Sequence, residues 1–163
     1  GAAGTVSTNT ATGTAKGYGF DFSTSPAPLA LTARVANNIS NNNQGGYSFD
    51  AIAFGAQVTG NTATGNGFLS NGTLFSATAN GFDLIQANGG TFTGNTATGN
   101  ANNGFAGGGA LFDANFINAA GGTFSNNAAN TNGDKGYRGT NSIGATAAGN
   151  TGAGNTNGGN TFP

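Results

Sequence analysis

Six times along this chain a short strand-like run enters an asparagine, and a second polar residue follows five positions later. The units are Val6-Ser7-Thr8-Asn9 to Thr14, Val35-Ala36-Asn37-Asn38 to Asn43, Val58-Thr59-Gly60-Asn61 to Asn66, Phe92-Thr93-Gly94-Asn95 to Asn100, Phe124-Ser125-Asn126-Asn127 to Asn132, and Ala147-Ala148-Gly149-Asn150 to Asn155. Their first asparagines lie 29, 23, 34, 32 and 23 residues apart. A period of roughly 20 to 50 residues marks a stacked solenoid, in which one unit cannot bury its apolar face alone and its neighbours complete the core.

Within each unit the apolar residues come in short bursts bounded by Gly or Asn, such as Thr5-Val6-Ser7, Gly19-Phe20-Asp21-Phe22 and Gly90-Thr91-Phe92-Thr93. That is strand-and-turn punctuation, and no stretch carries a helical stripe. The expected class is all-β, with about three short strands per unit. Composition alone, with 32 Gly and 36% hydrophobic residues, would fit a low-complexity disordered segment. The apolar residues, including most of the 13 Phe, instead fall in register with the repeat.

If each unit is one coil, equivalent residues of successive coils lie about 4.8 Å apart, the spacing of strands in any sheet. Asn9, Asn38, Asn61, Asn95, Asn127 and Asn150 then stack into a ladder whose amides satisfy one another without water. Asn and Gly also tolerate the left-handed backbone that a sharp corner demands. Val6, Val35, Val58, Phe92, Phe124 and Ala147 should line the interior, with Phe20, Phe49, Phe82, Phe105 and Tyr137 as an aromatic row on another wall.

Carried by Val58-Thr-Gly-Asn61-Thr-Ala-Thr-Gly-Asn66, its near copy Phe92-Thr-Gly-Asn95-Thr-Ala-Thr-Gly-Asn100 and the Gly-aromatic step after them, the chain resembles the right-handed parallel β-helix proteins of the pectate-lyase-like superfamily, especially the repeat type found in surface and secreted proteins. The resemblance implies a right-handed parallel β-helix of about six coils forming a single module over residues 1–163. It implies little about activity, because that fold hosts lyases, hydrolases, adhesins and structural proteins alike. Between Asn66 and Gly81 extra residues, Phe68 to Thr78, read as a loop on one coil, and Leu111 to Ala120 read as a second.

The acidic residues are all Asp: Asp21, Asp50, Asp83, Asp113 and Asp134. Asp21, Asp50 and Asp83 each follow a phenylalanine, and stacked in register they would repel by about 1 kcal/mol per pair in water. Two readings relieve that: a bound Ca²⁺, which takes carboxylate and backbone oxygens, or a solvated row paired with Lys16, Arg34 or Arg138. No other cofactor is indicated. Catalysis on acidic polysaccharide needs clustered carboxylates with Arg, Lys or His on one face. Here His and Glu are absent and Lys16, Arg34, Lys135 and Arg138 are scattered, so no catalytic residue is assigned and the chain is not expected to be an enzyme. Thr10/Thr12, Thr62/Thr64 and Thr96/Thr98 suggest an ice-binding threonine array, interrupted at Ile39/Asn41, Ala128/Asn130 and Thr151/Ala153. Asn38-Ile39-Ser40 and Asn71-Gly72-Thr73 match the N-glycosylation acceptor pattern. Asn38 belongs to the ladder, which leaves Asn71.

Charged residues make up 6% of the chain and the net charge is −1, so nothing attracts nucleic acid or an anionic membrane, and no apolar run is long enough to span a bilayer. Absence of Cys, Met, Trp and His suits an exposed extracellular or cell-surface material. No capping helix is evident before the first coil or after the last, and an uncovered β-helix end offers unpaired backbone. The leading expectation is a structural protein that self-assembles head to tail into a filament or surface layer. The alternatives are a piece of a longer solenoid, namely a carbohydrate-binding or adhesin module of a larger surface protein using the two loops, and an ice-binding solenoid.

Overall fold

In the computed structural model, residues 4–22, 33–49, 56–74, 76–84, 90–107, 123–138, 146–157 and 160–161 are described. Each repeat unit closes one coil of three strands. Coil 1 holds β1 (Thr5–Ser7), β2 (Thr10–Thr12) and β3 (Tyr18–Phe22); coil 2 holds β4 (Arg34–Ala36), β5 (Ile39–Asn41) and β6 (Gly45–Phe49). Coil 3 holds β7 (Gln57–Thr59), β8 (Thr62–Thr64) and β9 (Phe82–Leu84), and coil 4 holds β10 (Thr91–Thr93), β11 (Thr96–Thr98) and β12 (Phe105–Gly107). Coil 5 holds β13 (Thr123–Ser125), β14 (Ala128–Asn130) and β15 (Tyr137–Arg138), and coil 6 holds β16 (Thr146–Ala148), β17 (Thr151–Ala153) and β18 (Asn160–Thr161).

The first, second and third strands of the coils form three separate six-stranded sheets, parallel throughout. Register is set by which side chain faces inward. In the first sheet Val6, Val35, Val58, Phe92, Phe124 and Ala147 are aligned, as the repeat predicts. The second sheet aligns Ala11, Ser40, Ala63, Ala97, Ala129 and Gly152 at its central position. Such small side chains leave room for the rings of the third sheet.

The aromatic row differs from expectation at one place. It runs Phe20, Tyr47, Phe82, Phe105, Tyr137; Phe49 instead pairs with Phe22. Aligning on the Phe-Asp step was misleading because Gly45-Gly46-Tyr47-Ser48-Phe49 carries two aromatics on one face, two residues apart. Neighbouring rings in the row stack with centroids 5.0, 4.7, 4.6 and 5.2 Å apart and planes within 7°. Those separations match the roughly 4.8 Å strand spacing, so sheet pairing places each ring on the next, worth about 1 kcal/mol per pair beyond burial.

Two features of the backbone make the corners possible. The residue before each corner position, an asparagine everywhere but Thr14, has positive φ at every coil: Thr8, Asn37, Gly60, Gly94, Asn126 and Gly149 at the first corner, and Gly13, Asn42, Gly65, Gly99, Thr131 and Gly154 at the second. The left-handed residue and the ladder asparagine are thus neighbours rather than one residue. The Gly of the Gly-aromatic step is required for another reason: a Cβ on Gly104 would sit 2.7 Å from the Gly136 carbonyl and 2.8 Å from both Ala129 and the Asn132 amide.

Thr131 holds φ of 52°, which costs an L-residue about 1 kcal/mol. Thr131→Gly should therefore stabilise by about 1 kcal/mol, whereas Gly104→Ala should destabilise by about 3 kcal/mol through overpacking; urea titration of both variants checks the opposite signs.

Tyr47 and Tyr137 are wholly buried, and their hydroxyls donate to the Thr62 carbonyl at 3.2 Å and to the Asn127 carbonyl at 2.6 Å. Burial pushes both phenols well above the ordinary value of 10. The fold therefore keeps protons that the unfolded chain loses above pH 10. Stability is complete below that value and falls as pH rises beyond it, by up to about 1.4 kcal/mol per pH unit for each tyrosine. Alkaline titration followed by circular dichroism should show unfolding that begins above about pH 10, shifted to higher pH in Tyr47→Phe.

Candidate functional site

The six ladder asparagines stand in one column. At each step the backbone N–H and the Nδ2 of the lower residue both donate to the Oδ1 of the upper one, as from Asn61 to Asn95 at 3.0 and 3.0 Å and from Asn95 to Asn127 at 2.9 and 3.0 Å. The second Nδ2 hydrogen turns back to a carbonyl of the coil below, Asn95 to Val58 at 2.8 Å and Asn127 to Phe92 at 3.1 Å. Every donor and both Oδ1 lone pairs of an interior amide are thereby used. The ladder holds the coils together and has no capacity left for a ligand.

A second ladder of the same polarity occupies the other corner. Thr14 N–H donates to Asn43, and the column continues through Asn66, Asn100, Asn132 and Asn155. Its signal was already in the repeat, as the second asparagine of five of the six units. On coil 2 the Asn43 N–H donates directly to Asn66 Oδ1 at 3.1 Å, while Asn43 Nδ2 donates to Ser40 Oγ at 2.9 Å, whose single proton is shared between the Gly46 carbonyl at 3.1 Å and Asn66 Oδ1 at 3.2 Å. Asn38 is fully buried in the first ladder, so its acceptor pattern is inaccessible, whereas Asn71 is exposed with its Oδ1 accepting from Thr73 N–H at 3.0 Å.

Asp21 and Asp83 are not neighbours in the third sheet. Register aligns Asp21 with Ser48 and Ser48 with Asp83, and Asp50, one position beyond Phe49, lies outside the described residues. Asp21 and Asp83 are two strand spacings apart, about 10 Å, where their repulsion in water is about 0.4 kcal/mol. That is below thermal energy. Among the described residues no three His, Cys, Asp or Glu side chains gather in a metal-binding group. In the second sheet the threonine pairs are adjacent only at Thr62/Thr64 and Thr96/Thr98, with Ile39/Asn41 and Ala128/Asn130 on either side.

What the repeat did not reveal is a cleft of about 230 Å³ where the insertion of coil 3 meets coils 1 and 2. The insertion is a small hairpin: Phe68 bridges Leu74 in antiparallel fashion, and Ser76 N–H donates to the Gly67 carbonyl at its base. Its returning limb brings Ser76, Thr78 and Asn80 against Tyr18 and Gln44, with Asp83 of β9 at the back. Tyr18 reaches across coil 2 to donate to Asp83 Oδ2 at 2.7 Å, and Asn80 Nδ2 donates to Asp83 Oδ1 at 2.8 Å. The crossing is possible because position 45 is glycine; a Cβ there would lie 2.6 Å from the Tyr18 ring. Asn80 is itself fixed by Asn102 Nδ2 and by the N–H and Nδ2 of Asn103, at 3.0–3.1 Å. The second predicted loop, Leu111 to Ala120, lies outside the described residues.

Comparison with protein-family models, curated proteins and solved structures gives no match. The parallel β-solenoid assignment therefore stands on the sheets, the ladders and the aromatic stack themselves.

Removing one interior rung strands several buried groups at about 1–3 kcal/mol each. Asn95→Ala should cost about 4 kcal/mol in chemical denaturation, and Asn9→Ala, on the exposed first coil, about 1 kcal/mol or less; equal losses at the two positions would contradict the ladder as the main support.

Proposed function

We propose that this chain is an extracellular or cell-surface structural protein that stacks head to tail, coil upon coil, into a filament or layer. The observation that supports the reading best is the shared polarity of the two ladders. Donors point from coil 1 towards coil 6 at every step. At coil 6, Asn150 and Asn155 each send one amide hydrogen back to coil 5, to the Phe124 and Ala129 carbonyls. Their backbone N–H groups and remaining amide hydrogens have no partner among the described residues. At coil 1 the Asn9 Oδ1 accepts from none of them either.

A donor face and an acceptor face on opposite ends of one column are complementary under translation, not under two-fold rotation. Contacts of that kind do not close, and they give filaments. Among the described residues β1, β2 and β3 are the outermost strands on one side and β16, β17 and β18 on the other. With 6% charged residues, little repulsion opposes stacking identical units. A chain without His or Glu also fits a role that is mechanical rather than catalytic.

Electron microscopy and sedimentation of the purified chain test the reading. Filaments should form as concentration rises and diffract at about 4.8 Å along their axis; dispersed monomers at high concentration in native salt would sink it.

A further inference from the structure

We infer that Asn71, at the tip of the coil 3 insertion, is an acceptor site for an N-linked oligosaccharide. The site takes its compartment, a secretory route, from the extracellular role proposed above. It lies on an insertion at the flank of the solenoid and leaves the end faces clear.

Across the chain only Asn38 and Asn71 have Ser or Thr two residues on, the spacing an acceptor needs. The fold explains the scarcity. Two places after each first-ladder asparagine stands the inward central residue of the second sheet, Ala11, Ala63, Ala97, Ala129 and Gly152, with Ser40 the exception. A ladder asparagine thus gains a hydroxyl there only by burying it. Asn38 and Ser40 are both fully buried, and Asn38 Nδ2 spends its two hydrogens on the Val6 carbonyl at 2.9 Å and on Asn61 Oδ1 at 3.0 Å. It has no nitrogen to offer.

Asn71 is placed in the opposite way. Gly72 N–H donates to the Leu69 carbonyl and Leu69 N–H to the Thr73 carbonyl, both at 2.8 Å, which closes a tight turn with Asn71 at its apex. Gly72 supplies the left-handed residue, φ 83°, on which such hairpin loops end. Asn71, Gly72 and Thr73 are all exposed. Leu69 and Leu74 beside them are 43% and 52% exposed, so even the leucines of the tip are not packed onto the coils. A Cβ added at Gly72 would meet nothing within 4 Å. Thr73 N–H holds Asn71 Oδ1 at 3.0 Å, and neither Asn71 Nδ2 nor the Thr73 hydroxyl is bonded to another described residue.

The transfer joins Asn71 Nδ2 to the anomeric carbon of a lipid diphosphate-linked oligosaccharide, supplied with its transferase by the secretory route. The bond from that carbon to the phosphate oxygen breaks, the diphosphate leaves with the electron pair, and one amide proton passes to a base of the transferase. The bonds that close the tip are internal to the hairpin, so it can open into the transferase without breaking a coil.

Secretion of the chain from cultured eukaryotic cells behind a cleavable signal peptide, followed by intact-mass measurement and peptide mapping, tests the site. An oligosaccharide on Asn71 and none on Asn38 is expected. Asn71→Gln and Thr73→Ala should each abolish the added mass and Thr73→Ser should keep it, with the circular dichroism of the parent chain in all three. An unmodified secreted chain, added mass that persists in Asn71→Gln, or an oligosaccharide on Asn38 would each overturn the assignment. A modified chain that stays monomeric under the electron microscope upholds the site and sinks only the filament; filaments built from unmodified secreted chain do the reverse.

Discussion

A coil that turns on two buried corners must hydrogen-bond the backbone at those corners without water, and the asparagine ladders are how this chain does it. An unpaired buried amide costs about 1–3 kcal/mol, and the two corners recur on six coils. Asparagine answers the need because one side chain carries two donors and an acceptor with two lone pairs, enough to bond the coil above and the coil below. Hydrophobic burial here is narrow, one inward side chain on most strands, so failure of the polar column would not be offset by the core. The apolar interior fills the space that the ladders define.

From that constraint the choice of the other residues follows. Fixing the corners fixes the strand spacing, and the spacing sets the ring separation in the Phe20–Tyr47–Phe82–Phe105–Tyr137 row at 4.6–5.2 Å. Stacked rings then need small partners, which explains Ala63, Ala97 and Ala129 opposite them. Glycine before each ring lets the chain pass the second ladder closely enough for Asn132 and Ala129 to pack on it. Positive φ before the ladder residue explains why Gly, Asn and Thr alternate there. Gly, Ala and Asn look like low complexity in composition, yet most of these residues answer a specific geometric demand.

The sequence made the coil count, the first ladder and the valine-phenylalanine column legible because each repeats at a fixed offset from an asparagine. The second ladder was equally available, since Asn43, Asn66, Asn100, Asn132 and Asn155 share that offset. One expectation failed where the period did not apply. Tyr47 and Phe49 compete for one row, and only pairing of β6 with its neighbours decides between them. In the same strand Ser48, and not an aspartate, stands between Asp21 and Asp83 in register. The cleft was illegible for a different reason. Tyr18 and Asp83 are 65 residues apart, and no local pattern joins them.

The third polar column sharpens this point. Asn103 donates its N–H and Nδ2 to Asn80, and Lys135 N–H donates to Asn103, so donors there point from the upper coil to the lower, against both ladders. A column running the other way cannot have been copied from the ladder offset; it begins where the coil 3 insertion rejoins the solenoid. Its lowest member, Asn80, accepts from coil 4 with its oxygen and gives its amide hydrogen to Asp83. The column thus ends on a carboxylate that Tyr18 of coil 1 also holds, not on another asparagine. Ladder amides are consumed by the coils above and below, whereas the amide that departs from the pattern is spent on the Asp83 carboxylate. In a repeat protein, chemistry is to be sought at the residues that break the polarity of the repeat.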